Sequence, residues 1–187
     1  MQPGEIAMTD HYTRTAIALH WIIALLIFTA FPVGLYMHNL PLSPHKLRLF
    51  SYHKWIGVTI FLLALARVSW RSTHRPPPLP SAMPPWEKLA APAVHYLLYV
   101  LILAIPLSGW LMSSAKGIQT VYLGILPLPD LVPKDKELGD ALLEVHESLN
   151  FTMLGLLLAH VGGALKHHFI DHDDILARML PFLRSKS

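Results

Sequence analysis

A chain of 187 residues that is 53% hydrophobic and only 14% charged, with a positive mean hydropathy, has the composition of a protein built for lipid. It has no cysteine, which excludes disulfides, cysteine-ligated iron–sulfur clusters and thioether attachment of a c-type haem; histidine occurs 12 times. The net charge of +3 sits in clusters between apolar runs, a distribution that suits a membrane surface and argues against nucleic acid as a partner.

The first apolar run, Thr15 to Met37, is long enough to span a bilayer. It closes on Pro32, Gly34 and Tyr36 without a small-residue cleavage site, and so reads as a retained helix rather than a secretory signal. Pro41, Ser43 and Pro44 mark a short connection to a second helix, Leu47 to Trp70, whose apolar centre runs from Trp55 to Ala66. Arg71 to Pro85, with three consecutive prolines from Pro76, is a basic extended linker. A third helix is predicted over Leu89 to Met112, interrupted by Pro92 and Pro106. The loop from Lys116 to Lys136 is the longest, and a fourth helix follows from Leu138 to Phe169. The expected fold is therefore all-α: one domain over residues 1–187, an integral membrane four-helix bundle.

Basic residues set the orientation. Arg14, Arg67, Arg71, Arg75, Lys88, Lys166, Arg178, Arg184 and Lys186 lie on the face that carries the termini. Lys46, Arg48, Lys54, Lys116, Lys134 and Lys136 lie on the other, beside several acids. The expectation is a multi-pass protein of the bacterial inner membrane with both termini cytoplasmic.

The histidines carry the chemistry, because an imidazole in hydrocarbon is costly without a partner. His146 and His160 fall on one face of the fourth helix, separated by roughly 21 Å along its axis. Each faces a histidine of matching depth: His160 is level with His20 on the first helix, and His146 with His53 on the second. A bundle that encloses two haems needs such an arrangement, with an inner iron held by His20 and His160 and an outer iron by His53 and His146. His95, near the start of the third helix, is the rival of His20 for the inner iron. Otherwise it has a role at a haem propionate or a quinone carbonyl, or is simply interfacial. Glycines 57, 109 and 155 are places where a porphyrin can approach backbone, or where helices simply pack. His167, His168 and His172 form a cluster that could bind a metal, but at a helix end above Asp171, Asp173 and Asp174 they are read as a solvated tail, and His11, His38, His45 and His74 as loop residues without a role.

These motifs resemble the bacterial cytochrome b561 family, relatives of the cytochrome b subunits of nickel–iron hydrogenase and formate dehydrogenase. The resemblance rests on Ala18-Leu19-His20-Trp21, His53-Lys54-Trp55-Ile56-Gly57, Pro106-Leu107-Ser108-Gly109, and His146-Glu147 followed by His160. It implies that the two histidine pairs are axial ligands of two b haems and that ubiquinone is the membrane redox partner. It also implies a stand-alone member at this length, superoxide oxidase activity being one such role and general electron shuttling another. The donor would then be superoxide or a periplasmic redox protein. Superoxide would be drawn by Lys46, Arg48 and Lys54, while Asp140, Glu144 and Glu147 oppose that field. Rival readings are an electron-transfer subunit of a larger dehydrogenase or hydrogenase complex, a transporter with ionisable groups at the midplane, and a membrane zinc enzyme using Glu147.

Overall fold

The structure is a computed structural model that describes residues 11–183. Arg184 and Lys186, which contribute to the basic bias above, lie outside the described residues, as does the polar stretch before His11. Four helices are long and apolar enough to cross a membrane: α1 (Arg14–His38), α2 (Pro44–Thr73), α3 (Pro85–Ala115) and α4 (Lys136–Phe169). A short α5 (Ile175–Met179) follows, then one turn of 3₁₀-helix, Pro181–Leu183.

The helix starts follow from local chemistry. Thr13 Oγ1 accepts from the Ala16 amide at 3.2 Å, Ser43 Oγ from Lys46 at 3.2 Å, and Asp135 Oδ1 from Leu138 at 3.1 Å. Each satisfies an amide that the first turn leaves without a partner. α2 and α3 begin three and four residues earlier than the hydropathy suggests, at Pro44 and Pro85. Proline at the first helical position lacks only an amide hydrogen that has no use there, and its φ is already helical.

α1 packs along α2, α2 along α3, and α3 most extensively along α4. The small core lies at the middle of the bundle, where Ala64, Leu101, Ile102 and Met153 meet Ile27, Leu98 and Leu157. Large apolar side chains such as Leu25, Phe28, Phe151 and Leu158 point outward. That inversion suits a hydrocarbon surround, where helices associate by packing and polar contacts rather than by hiding apolar surface from water.

The loop between α3 and α4 contains an antiparallel hairpin, β1 (Val121–Tyr122) and β2 (Leu126–Pro127), turned by Gly124 at φ +73°. It is fastened over α2: Trp55 Nε1 donates to the Val121 carbonyl at 2.7 Å, and the Thr59 and Tyr122 hydroxyls lie 2.9 Å apart. At the opposite end the tail is tied back, with Trp21 Nε1 donating to the Met179 carbonyl at 2.9 Å and Arg178 to that of Pro78 at 2.6 Å.

Candidate functional site: two histidine pairs facing α4

The four histidines singled out in the sequence come together in two pairs. The His20 and His160 rings have centroids 6.1 Å apart, and those of His53 and His146 are 6.3 Å apart. Two imidazoles trans on one ion, each bonded through one nitrogen at about 2.0–2.1 Å, place their centroids about 6.4 Å apart. Both pairs fit a shared iron. His95 stands 5.0 Å from His160, centroid to centroid, which is too close for trans ligation with it.

The pair at the loop end is oriented by a device that the two helical hairpins share. A Cβ added at Gly34 would lie 3.2 Å from His53 Cε1, and one added at Gly109 would lie 3.1 Å from His146 Cε1. Each ring thus occupies a notch in the neighbouring helix that only glycine leaves. At the bottom of each notch is the carbonyl four residues before the glycine. His53 Nδ1 is 3.1 Å from the Ala30 oxygen, and His146 Nδ1 is 3.1 Å from that of Ile105 and 3.0 Å from Ser108 Oγ. A carbonyl has two lone pairs, so it can serve both its helix and the imidazole. With Nδ1–H donating, Nε2 presents its lone pair, the form a metal requires.

Gly109 is therefore filled by His146, whereas Gly57 and Gly155 face no protein atom within 4 Å. Sequence reading passed over Gly34. Its signal was available in retrospect, since a glycine inside an apolar helix marks a close approach.

The pair at the termini end lies in a cleft lined by His20, Arg67, His95, Tyr99, Met153 and His160, among others. Arg67 bridges three helices here: Nε donates to the Tyr99 hydroxyl at 3.0 Å and a terminal nitrogen to the Ala16 carbonyl at 3.0 Å. The guanidinium of Arg71 also lies over the Tyr99 ring, 5.4 Å from its centroid. Two cations thus stand beside the cleft, ready for anionic groups such as propionates. Between the two pairs, Phe31 of α1 meets Phe151 of α4 edge to face at 6.2 Å.

The remaining histidines divide. His38 pairs with Glu147 at 3.3 Å, His45 lies against Tyr36, and His74 stacks on Trp70 at 3.9 Å. His167 is not the solvated residue expected: only 12% of its side chain is exposed, and it is enclosed by Glu87, Asp171 and Asp173. The partner that buries it, Glu87, comes from the start of α3, a contact that α4's own sequence does not announce. The lysines of the loop end are engaged by backbone: Lys46 Nζ donates to the Leu40 carbonyl at 2.6 Å and Lys54 Nζ to that of Ile118 at 3.0 Å.

The chain is similar to known proteins along nearly its whole length. The profile of the family described as prokaryotic cytochrome b561 matches residues 11–182. Cytochrome b561 homolog 2 of Escherichia coli K12 is 37% identical over 91% of this chain and 92% of its own length. Cytochrome b561 homolog 1 of the same organism is 28% identical over 92% and 98%. The probable superoxide oxidase CybB of Yersinia pestis is 26% identical over 93% and 98%. Matched along nearly its whole length, the chain belongs to the prokaryotic cytochrome b561 family, a membrane cytochrome of the b type.

Proposed function

We propose that the protein carries electrons across the bilayer through two b haems, with ubiquinone as its membrane partner, in the bacterial inner membrane with both termini cytoplasmic. The observation that carries this reading is the pair of ring separations, 6.1 and 6.3 Å, at opposite ends of α4's inward face. Bound haem supplies reversible one-electron ferrous–ferric chemistry, tuned by its axial ligands and by the charge and polarity around it.

The chain's own residues do the rest. His20 and His160 would hold the inner group, and His53 and His146 the outer one. The carbonyls of Ala30 and Ile105 fix the outer imidazoles in their ligating tautomer. Arg67 and Arg71 place positive charge beside the inner site. Ile27, Phe31, Phe151 and Met153 exclude water between the sites.

A second reading concerns the donor. The name of the Yersinia pestis relative and the cations Lys46, Arg48 and Lys54 at the loop end favour superoxide. The balanced reaction oxidises two superoxide ions to dioxygen while one ubiquinone takes up two electrons and two protons to become ubiquinol. The other outcome is quinol-linked electron transfer, alone or as the cytochrome subunit of a larger dehydrogenase complex.

The test follows haem reduction in detergent-solubilised protein, first with a ubiquinol analogue and then with superoxide plus ubiquinone. Reduction by the quinol, with two haems per chain, supports the main reading. Failure of any quinone or quinol to exchange electrons with the haems sinks it. A rate with superoxide near the diffusional range of about 10⁸ per molar per second supports the second reading. A far slower rate, unaltered when Lys46, Arg48 and Lys54 become Gln, removes it.

A further inference from the structure

At the termini end, away from both histidine pairs, α3 and α4 close on a polar cluster that electron transfer does not use. Glu87 is 5% exposed although it is a carboxylate in the first turn of α3. Its Oε1 accepts from Lys166 Nζ at 2.5 Å, but Oε2 is buried with no hydrogen-bond partner. A carboxylate oxygen shut from water without a donor is costly. It faces His167 Nε2 at 3.6 Å, beyond hydrogen-bonding distance.

The other ring nitrogen is already engaged. His167 Nδ1 lies 2.8 Å from Asp173 Oδ2 and 3.0 Å from Asp171 Oδ2, so it carries an N–H, and the neutral ring presents a lone pair at Nε2. The chain is bent to achieve this. His172 takes a left-handed φ of +54°, and the Asp173 amide returns to the His167 carbonyl at 3.0 Å. Nε2 and Oε2 thus face one another across a gap that a cation can fill.

We propose that Glu87, His167 and Asp171 bind one divalent transition-metal ion of the zinc class, with Asp173 orienting the histidine. One ligand atom from each of the three lies within 4.8 Å of the others. Ligands about 2.0–2.2 Å from a tetrahedral ion are about 3.4 Å apart, close to the Glu87–His167 gap. A ligating histidine whose second nitrogen donates to a carboxylate is the usual outer-shell arrangement of such sites.

Charge agrees. The carboxylates of Glu87, Asp171 and Asp173 face the single ammonium of Lys166, which leaves two negative charges for a dication to balance. Lys166 is a competitor on the far side of the cluster, bound to Glu87 Oε1 and to Asp171 Oδ2 at 2.8 Å, but Oε2 remains open. The imidazole nitrogen selects zinc over magnesium, which prefers oxygen and water. The ion would pin the start of α3 to the end of α4 and to the turn before α5.

The test uses untagged, haem-loaded protein in detergent, dialysed against graded zinc, with bound metal measured by elemental analysis. One zinc per chain is expected, undiminished by millimolar magnesium. Glu87→Gln and His167→Ala should each weaken binding by at least a hundredfold, and Asp173→Asn by about 10–100-fold. Lys166→Gln should tighten it. His168→Ala, in the neighbouring cleft that also holds His11 and Asp174, should change nothing. The haem difference spectrum of each variant reports folding independently. Should Glu87→Gln or His167→Ala lose that spectrum, the opposite shifts in Asp173→Asn and Lys166→Gln decide. No zinc in the unaltered protein, zinc retained in folded His167→Ala, or zinc lost only with His168→Ala would each overturn the assignment.

Discussion

His146 sits in the notch of Gly109, its Cε1 3.1 Å from where a Cβ would stand and its Nδ1 3.1 Å from the Ile105 carbonyl. His53 stands in the same relation to Gly34 and Ala30. Gly34→Ala or Gly109→Ala must therefore push the ring off its carbonyl by a few tenths of an ångström. Loss of such an outer-shell contact weakens a bound metal group about 10–100-fold. The expected result is selective depletion of the outer haem in the reduced-minus-oxidised spectrum. Wild-type occupancy in both variants would show that the notches do not position the ligands.

Histidine substitutions should sort by pair. His53→Ala and His146→Ala should each leave about one haem per chain in a pyridine haemochrome assay, as should His20→Ala and His160→Ala, but with the other spectral component lost. His95→Ala should keep both haems, because its ring is 5.0 Å from that of His160 rather than opposite it across an ion. One haem remaining in His95→Ala and two in His20→Ala would exchange their roles.

Arg67 tests the electrostatics of the inner site. A unit charge at about 10 Å and an effective dielectric near 20 contributes about 1.7 kcal/mol, about 70 mV for one electron. Positive charge favours the reduced form, so Arg67→Gln should lower the midpoint potential of the inner haem by that order and leave the outer one nearly unchanged. Potentiometric titration separates the two. A rise, or an equal shift in both, would contradict the placement.

Orientation is tested by reporter fusions. The basic bias of the termini end predicts cytoplasmic activity for fusions within the 71–88 linker and after residue 187, and external activity for a fusion near Pro133. The reversed pattern would put the His20 site on the outer side.

Much of this was legible in the sequence, because a membrane helix declares itself by length and a buried histidine by its cost. The fourteen-residue interval from His146 to His160 fixes one face of α4 whatever its neighbours do. Helix starts were less legible: Pro44 and Pro85 look like breakers until one asks which amide they lack. The notch at Gly34 and the burial of His167 by Glu87 depend on contacts between helices. A glycine in an apolar helix marks a close approach without naming what approaches, and no local pattern encodes the Glu87 contact, so His167 read as tail and Glu87 drew no notice.

The glycine notches have a further consequence for speed. An imidazole seated in a groove of one helix and bonded to that helix's carbonyl has little room to shift when the charge on its metal changes. Ligands and dipoles already placed for both redox states need little rearrangement as an electron arrives or leaves. The outer pair, held by Ala30 and Ile105 against Gly34 and Gly109, should therefore have the smaller reorganisation energy. The His20 pair lies in a cleft lined by Arg67, His95 and Tyr99 rather than in glycine notches, and should respond more to its surroundings. One end of the molecule should thus exchange electrons with less rearrangement than the other.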